Sequence, residues 1–280
     1  MIKKIGIVGL GLIGGSVAKA IKKRTDCVVF GYDIKESTMT QALESGTIDG
    51  ELRDLSQLDL LVLALFPQAT VDYIKGHCHE MKHGSVICDI CGVKRLIVDE
   101  CAALCRSQGV EFIGCHPMAG RENWGFENTD ADLFTKASMI LTPEGADEGK
   151  VQELQDFWME MGFGRTVVTT ADNHDRMIGY TSQLAHVLSN AYIKNPLCLE
   201  FSGYTGGSFQ DLTRVAKLNP VMWSELFFCN RENLLRDTEL LIAQLQEYRQ
   251  ALIDNDPETM TRLLKEGSDL KEQLLDLRKQ

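Results

Sequence analysis

The sequence predicts a doubly wound α/β domain followed by an all-helical domain, and three observations carry that prediction. Apolar, β-branched runs alternate with helical segments from residue 2 to about residue 170. A glycine-rich turn follows the first of those runs directly. From Ala171 onward the apolar period changes from strand-like to helical and stays so. A chain of 280 residues has the length to bury a core in each of two domains, read as 1–170 and 171–280.

Ile2 to Val8 is the first strand, and Gly9-Leu10-Gly11-Leu12-Ile13-Gly14-Gly15-Ser16 follows without a gap. Val17 to Lys23 then has helical composition. Gly9 permits the tight turn, Gly11 lets a pyrophosphate approach the backbone, and Gly14 lets helix and strand pack closely. The helix amino terminus after the turn offers free N–H groups and a partial positive charge to phosphates. Strand, glycine turn and helix in this order make the amino-terminal domain Rossmann-type. The next run, Val28 to Tyr32, ends in Asp33, an acidic residue placed to accept both ribose hydroxyls and to repel a 2′-phosphate. NAD is therefore the expected cofactor, with Lys35 the one nearby feature that leaves NADP open. The cofactor-binding candidates are Gly9, Gly11, Leu12, Ile13, Gly14 and Asp33.

The alternation continues through strands at Asp59 to Phe66 and Ser85 to Ile90, with helices at Ala69 to His79 and Val93 to Ser107. A strand at Val110 to Gly114 leads to His116-Pro117-Met118-Ala119-Gly120-Arg121-Glu122. That places an imidazole at the carboxyl edge of the sheet, where ligands lie in open α/β folds. Strands at Ala137 to Thr142 and Arg165 to Thr170 flank a helix from Asp147 to Met161.

In the second half, Asp172-Asn173-His174-Asp175 is rich in helix-capping residues, so a long helix is expected from there to about Lys194. Ser182 and His186 sit four apart on one of its faces. After the break at Gly203 to Ser208 comes Arg214, a residue able to hold a carboxylate bidentately. Helices at roughly Ser224 to Ile253 and Pro257 to Arg278 carry leucine seams of the kind that pair subunits, so a homodimer is expected.

A net charge of −11 argues against nucleic acid and anionic membranes as partners. An anionic substrate must be held by a few local cations. No apolar run reaches membrane-spanning length, and since Met1-Ile2-Lys3-Lys4 leads straight into a strand, no secretory leader is expected. Nine scattered cysteines suit reduced thiols in the cytoplasm. His77, His79 and His83 with Cys78, Cys88 and Cys91 lack the paired spacing of a zinc site, so no metal is expected.

Together these motifs resemble the prephenate and arogenate dehydrogenase family of tyrosine biosynthesis, over nearly the whole chain. The resemblance rests on the glycine turn, on His116-Pro117-Met118-Ala119-Gly120-x-Glu122, and on Ser182-x-x-x-His186. It rests also on Gly206-Gly207-Ser208-Phe209-x-Asp211-x-Thr213-Arg214-Val215-Ala216 with Pro220-x-Met222-Trp223. It implies oxidation of a ring hydroxyl carbon by NAD while the ring carboxylate leaves as carbon dioxide. It also implies that His116 accepts the hydroxyl proton, that Arg214 clamps the substrate carboxylate, and that Glu122 pairs with Arg214 and gates the pocket. By the same resemblance Ser182, His186 and Trp223 line the substrate side, and Gly207 lets the chain pass close to it.

Three features depart from the family pattern. Gly92 stands where a serine often contacts the histidine, leaving water or Cys91 to replace it or the histidine less well oriented. Gln183 replaces a common histidine and Gln210 a lysine that can occur there, changes that bear on whether the substrate side chain is an α-keto or α-amino acid. No appended regulatory domain is expected, and any tyrosine feedback is expected within the active site. Prephenate is the expected substrate, with arogenate the alternative. A non-catalytic dinucleotide or tyrosine sensor is the alternative of another class. A β-hydroxyacid dehydrogenase would need a catalytic lysine on the long helix, where Lys194 is the one available, and would leave the His116 and Arg214 motifs unexplained.

Overall fold

The computed structural model describes residues 2–121, 123–200 and 203–277. β1 (Lys4–Val8) runs through the glycine turn into α1 (Leu12–Arg24), and β2 (Val28–Tyr32), α2 (Glu36–Glu44) and β3 (Gly50–Glu51) follow. Next come β4 (Leu60–Leu63), α3 (Pro67–His77), β5 (Val86–Asp89), α4 (Arg95–Ser107) and β6 (Glu111–Phe112). Among the described residues these strands form one six-stranded sheet in the order β3-β2-β1-β4-β5-β6, parallel throughout. This is the doubly wound dinucleotide-binding order, with the reversal of direction between β1 and β4.

The period of two along the strands feeds two cores. Leu60, Val62, Val86 and Cys88 face the side covered by Val17, Ala18 and Ile21 of α1. Leu61, Leu63 and Ile87 face Val71 and Ile74 of α3 and Ile97, Cys101 and Cys105 of α4. Each fully buried aliphatic side chain contributes about 1.5–3 kcal/mol, which is what holds helices on both faces.

The run from Val110 to Gly114 is not the single strand expected from sequence. Ile113 N–H donates to Ile87 O, the last bond to β5. The chain then changes partner. β7 (Gly114–Pro117) pairs antiparallel with β8 (Ser138–Thr142), which pairs parallel with β9 (Arg165–Val168) beyond α5 (Glu148–Glu160). His116 therefore lies within a strand, opposite Ile140, rather than after a strand end. The switch needs Gly114, because a Cβ there would overlap Thr142 Oγ1 and press on the Lys94 stem.

The long helical run begins at Ala171, capped by Thr170 Oγ1, which accepts from Asn173 N–H. It comprises α6 (Ala171–Ile178), a π turn (Gly179–Gln183) and α7 (Leu184–Tyr192). The Asp172-to-Asp175 stretch thus belongs inside the helix instead of capping it. α8 (Gly207–Thr213) and α9 (Pro220–Cys229) follow, α9 capped by Asn219 with proline at its first position. The helix expected from Ser224 to Ile253 is broken at Asn230, whose backbone leaves the helical region (φ −115°, ψ 29°). α10 (Arg231–Ile253) and α11 (Pro257–Leu277) complete the chain.

By its contacts the chain divides into units 1–231 and 232–280. In the second, a turn around Asn255 folds α11 back, and Tyr248 Oη donates to Leu263 O. Leu240, Leu245, Leu252, Leu264 and Leu270 remain exposed there. No helix among the described residues is long and apolar enough to cross a membrane.

Candidate active site

The glycine turn has the conformation its sequence requires. Gly9 has φ +88° and its N–H donates to Tyr32 O, while a Cβ on Gly14 would overlap the Gly9 carbonyl. The first α1 bond runs from Gly15 N to Gly11 O, so the N–H groups of Leu12, Ile13 and Gly14 have no acceptor within the helix. A Cβ on Gly11 would meet nothing within 4 Å, which leaves open space in front of those donors. Asp33 directly follows β2, its Oδ2 accepting from Leu10 N–H at 2.8 Å, so its carboxylate is fixed beside the turn. Donors, open backbone and fixed carboxylate fit a dinucleotide with free ribose hydroxyls.

β7 delivers His116 to the same edge of the structure as the amino terminus of α4. His116 Nδ1 lies 2.9 Å from His174 Nε2, and His174 Nδ1 lies 2.7 Å from Asp175 Oδ1. Asp175 is itself held by three donors: its Oδ1 also accepts from Lys94 N–H and its Oδ2 from Arg95 N–H, the first backbone donors of α4. An ionised Asp175 accepts only, which assigns the hydrogens along the relay. His174 carries its proton on Nδ1, its Nε2 accepts from His116 Nδ1–H, and His116 Nε2 presents a lone pair. Burial, the neighbouring His174 and the Lys94 ammonium hold the His116 pKa well below the ordinary imidazole value. Burial is also the largest cause of the lowered His174 value. An imidazole so placed is neutral and able to accept a proton at neutral pH.

Beneath the histidines, Lys94 and Asp89 form an ion pair with both side chains inaccessible to solvent. Asp89 Oδ2 accepts in addition from Cys91 N–H. The Lys94 charge that depresses both imidazoles is thereby fixed in place.

Gly92 faces the free nitrogen: a Cβ there would stand 3.9 Å from His116 Nε2. Cys91 does not take the missing serine's place. Its Sγ donates to Leu65 O at 3.0 Å and packs on Thr70, and burial beside Asp89 pushes the thiol up to about 12. The relay through His174 orients His116 from the opposite ring edge instead. Sequence reasoning missed His174 and Asp175, although an adjacent pair of titratable residues inside a helix was the available signal.

On the helical side, His186 donates from Nδ1 to Ser182 O at 2.8 Å and stacks on Trp223 with ring centroids 3.9 Å apart. The Ser182 backbone, then, fixes the histidine. Burial and the nearby Arg214 lower the His186 pKa, with the Ser182 carbonyl opposing them. Asn190, one turn beyond His186, donates to Ala216 O and ties the Arg214-to-Lys217 segment to α7. Arg214 is exposed, and a Cβ on Gly207 would meet nothing within 4 Å, so packing within the chain does not demand glycine there. Glu122 lies outside the described residues.

Gln183 does not reach outward to a substrate. It is buried, donates to Leu226 O, and accepts from Asn230 Nδ2, which also donates to Asp175 O. That network locks α6, the π turn and α9 together. Among the described residues, no three histidine, cysteine or carboxylate side chains are grouped to hold a metal. His77 pairs with Glu80, and Cys78, Cys88 and Cys91 are buried.

Comparison with known proteins places this geometry. Residues 17–168 match the model of the prephenate dehydrogenase nucleotide-binding domain, and residues 170–266 that of the prephenate dehydrogenase dimerization domain. The chain belongs to the prephenate dehydrogenase family. It is 30% identical to the cyclohexadienyl dehydrogenase of Zymomonas mobilis, over 95% of this chain and 94% of that protein. It is 29% identical to the prephenate dehydrogenase of Lactococcus lactis, over 96% of this chain and 77% of the relative. The fold is that of Aquifex aeolicus prephenate dehydrogenase crystallised with hydroxyphenyl propionate and NAD+, with a TM-score of 0.85 and 24% identity over 98% and 99% of the two chains. The family match gives the chain a dehydrogenase's nucleotide-binding half and a helical half of the dimerization type.

Proposed function

We propose that this chain is an NAD-dependent prephenate dehydrogenase, forming 4-hydroxyphenylpyruvate and carbon dioxide in tyrosine biosynthesis. The observation that carries the reading is the His116–His174–Asp175 relay, which leaves one basic nitrogen facing Gly92. Residues 1–170 hold NAD through Gly9, Gly11, Leu12, Ile13, Gly14 and Asp33, and 171–280 supply the substrate and subunit contacts of a cytoplasmic homodimer.

In this mechanism His116 Nε2 accepts the proton of the ring hydroxyl. The electron pair left on oxygen forms the carbonyl as the carbon gives up hydride. NAD, when bound, supplies the hydride acceptor. Arg214 holds the ring carboxylate until its carbon–carbon bond breaks and carbon dioxide leaves. The bonding pair then enters the ring, which becomes aromatic, and the oxygen takes its proton back from His116. Aromatisation drives the reaction, so the side chains need only position and polarise. His186, held by Ser182 and Trp223, braces the substrate side, with Gly207 leaving room and Glu122 pairing with Arg214.

Arogenate is the second reading, favoured by the similarity to a relative named for cyclohexadienyl substrates as a class. The test is the initial rate of NADH formation with prephenate, then arogenate, each repeated with NADP. Turnover of prephenate with NAD is the expected result. Tight NADH and tyrosine binding without turnover of either substrate would replace the enzyme with a sensor.

A further inference from the structure

The proposed substrate carries two carboxylates, and the position of the second one can be deduced from its chemistry. The ring hydroxyl and the ring carboxylate lie at opposite ends of the cyclohexadiene, and the side chain leaves from the same carbon as the ring carboxylate. With the hydroxyl at His116 and the ring carboxylate at Arg214, the side-chain carboxylate must lie on the Arg214 side. A chain of net charge −11 needs a local cation there. Gln210, at a position where relatives can carry lysine, is exposed and uncharged.

Lys217 is the candidate cation. It follows Arg214 by three residues on the irregular segment between α8 and α9, which Asn190 ties to the helix of His186. Its ammonium lies 5.4 Å from the ring centroid of Trp124, on the loop that leaves His116. The cation therefore stands where the histidine loop and the arginine segment meet. Trp124 is 55% exposed, so the cation remains open to a ligand from solvent. An exposed cation–π contact is weaker than a charge-assisted hydrogen bond to carboxylate, and a carboxylate arriving at the rim displaces it.

We propose that Lys217 is the anchor for the substrate's side-chain carboxylate, resting on Trp124 until substrate arrives. This rests on the dehydrogenase reading above. It makes Lys217 a determinant for dicarboxylate substrates that is indifferent to a keto or amino group beside the carboxylate.

The experiment first measures parent turnover with prephenate, then compares the parent with Lys217→Met, Lys217→Arg and Trp124→Leu. Lys217→Met should raise KM about tenfold with kcat changed less than about twofold, and Lys217→Arg should restore most of it. Inhibition by 3-(4-hydroxyphenyl)propanoate is then set against its neutral amide. The parent should prefer the acid, Lys217→Met should lose most of that preference, and Trp124→Leu, which keeps the cation, should retain it. An unchanged acid-to-amide ratio in Lys217→Met overturns the assignment while parent turnover keeps the dehydrogenase reading intact. A parent without turnover overturns both.

Discussion

His116 Nδ1 and His174 Nε2 face each other at 2.9 Å, and this contact leaves Nε2 as the nitrogen of His116 that can accept a proton. Because His174 is bonded on its far side to Asp175, it accepts from His116 and cannot compete for the substrate's proton. The arrangement resembles the logic of a serine-protease triad, in which a buried carboxylate fixes an imidazole tautomer.

Replacing the base tests the centre of the mechanism. His116→Asn should lower kcat by about 10²–10⁴-fold, the usual range for a general base, with little change in KM. Steady-state kinetics with prephenate and NAD measure both. A kcat within a few-fold of the parent would remove His116 from its role.

Breaking the relay one step back should cost less. His174→Leu leaves His116 free to adopt either tautomer and to rotate, so kcat should fall by about tenfold or more while NAD affinity is kept. Asp175→Ala should also reduce stability, by about 1–3 kcal/mol, because it strips the acceptor from the Lys94 and Arg95 N–H groups at the start of α4. Thermal melts beside kinetics separate the two effects. Equal melting temperatures for Asp175→Ala and the parent would contradict the capping geometry.

These two residues mark where sequence reading stopped. The glycine turn and Asp33 are legible because their roles are local: Gly9 needs a positive φ, and Asp33 follows a strand at a fixed distance. His116 is legible from its motif, although the strand containing it changes sheets at Gly114 for a reason found only in Thr142 and Lys94. His174 and Asp175 look like helix-capping residues in sequence. Their place in the relay comes from contacts with residues 58 and about 80 positions away, which no local pattern encodes. Gln183 was hidden for the same reason, since only the fold shows that Asn230 and Leu226 use up its amide.

The depressed His116 pKa sets the pH dependence. A base must be unprotonated, so kcat/KM should be flat at neutral pH and fall tenfold per unit below the pKa of the free enzyme. With that pKa below the ordinary 6.5, the acid limb should lie below pH 6.5. A parent limb at or above pH 7 would contradict the buried, cation-flanked environment.

The Lys94–Asp89 pair should matter to stability more than its net attraction suggests. Removing one partner leaves a buried charge uncompensated, which typically costs about 3–5 kcal/mol. Lys94→Met should therefore melt well below the parent, and Lys94→Met with Asp89→Leu should recover part of the loss. Equal melting of the single variant and the parent would mean that water reaches Asp89.

Gly92→Ser separates two accounts of how His116 is oriented. The site has room: a Cβ at residue 92 makes ordinary contacts, 3.5 Å to Leu226 and 3.9 Å to His116 Nε2. The variant should fold with an unchanged melting temperature. A serine hydroxyl placed there approaches the basic nitrogen, whereas the relay acts on the other ring edge. If the relay already fixes the ring, the serine adds little orientation, and kcat should change by less than about threefold. A tenfold gain in kcat would mean that His174 and Asp175 hold the ring loosely and that this chain turns over more slowly for want of the hydroxyl.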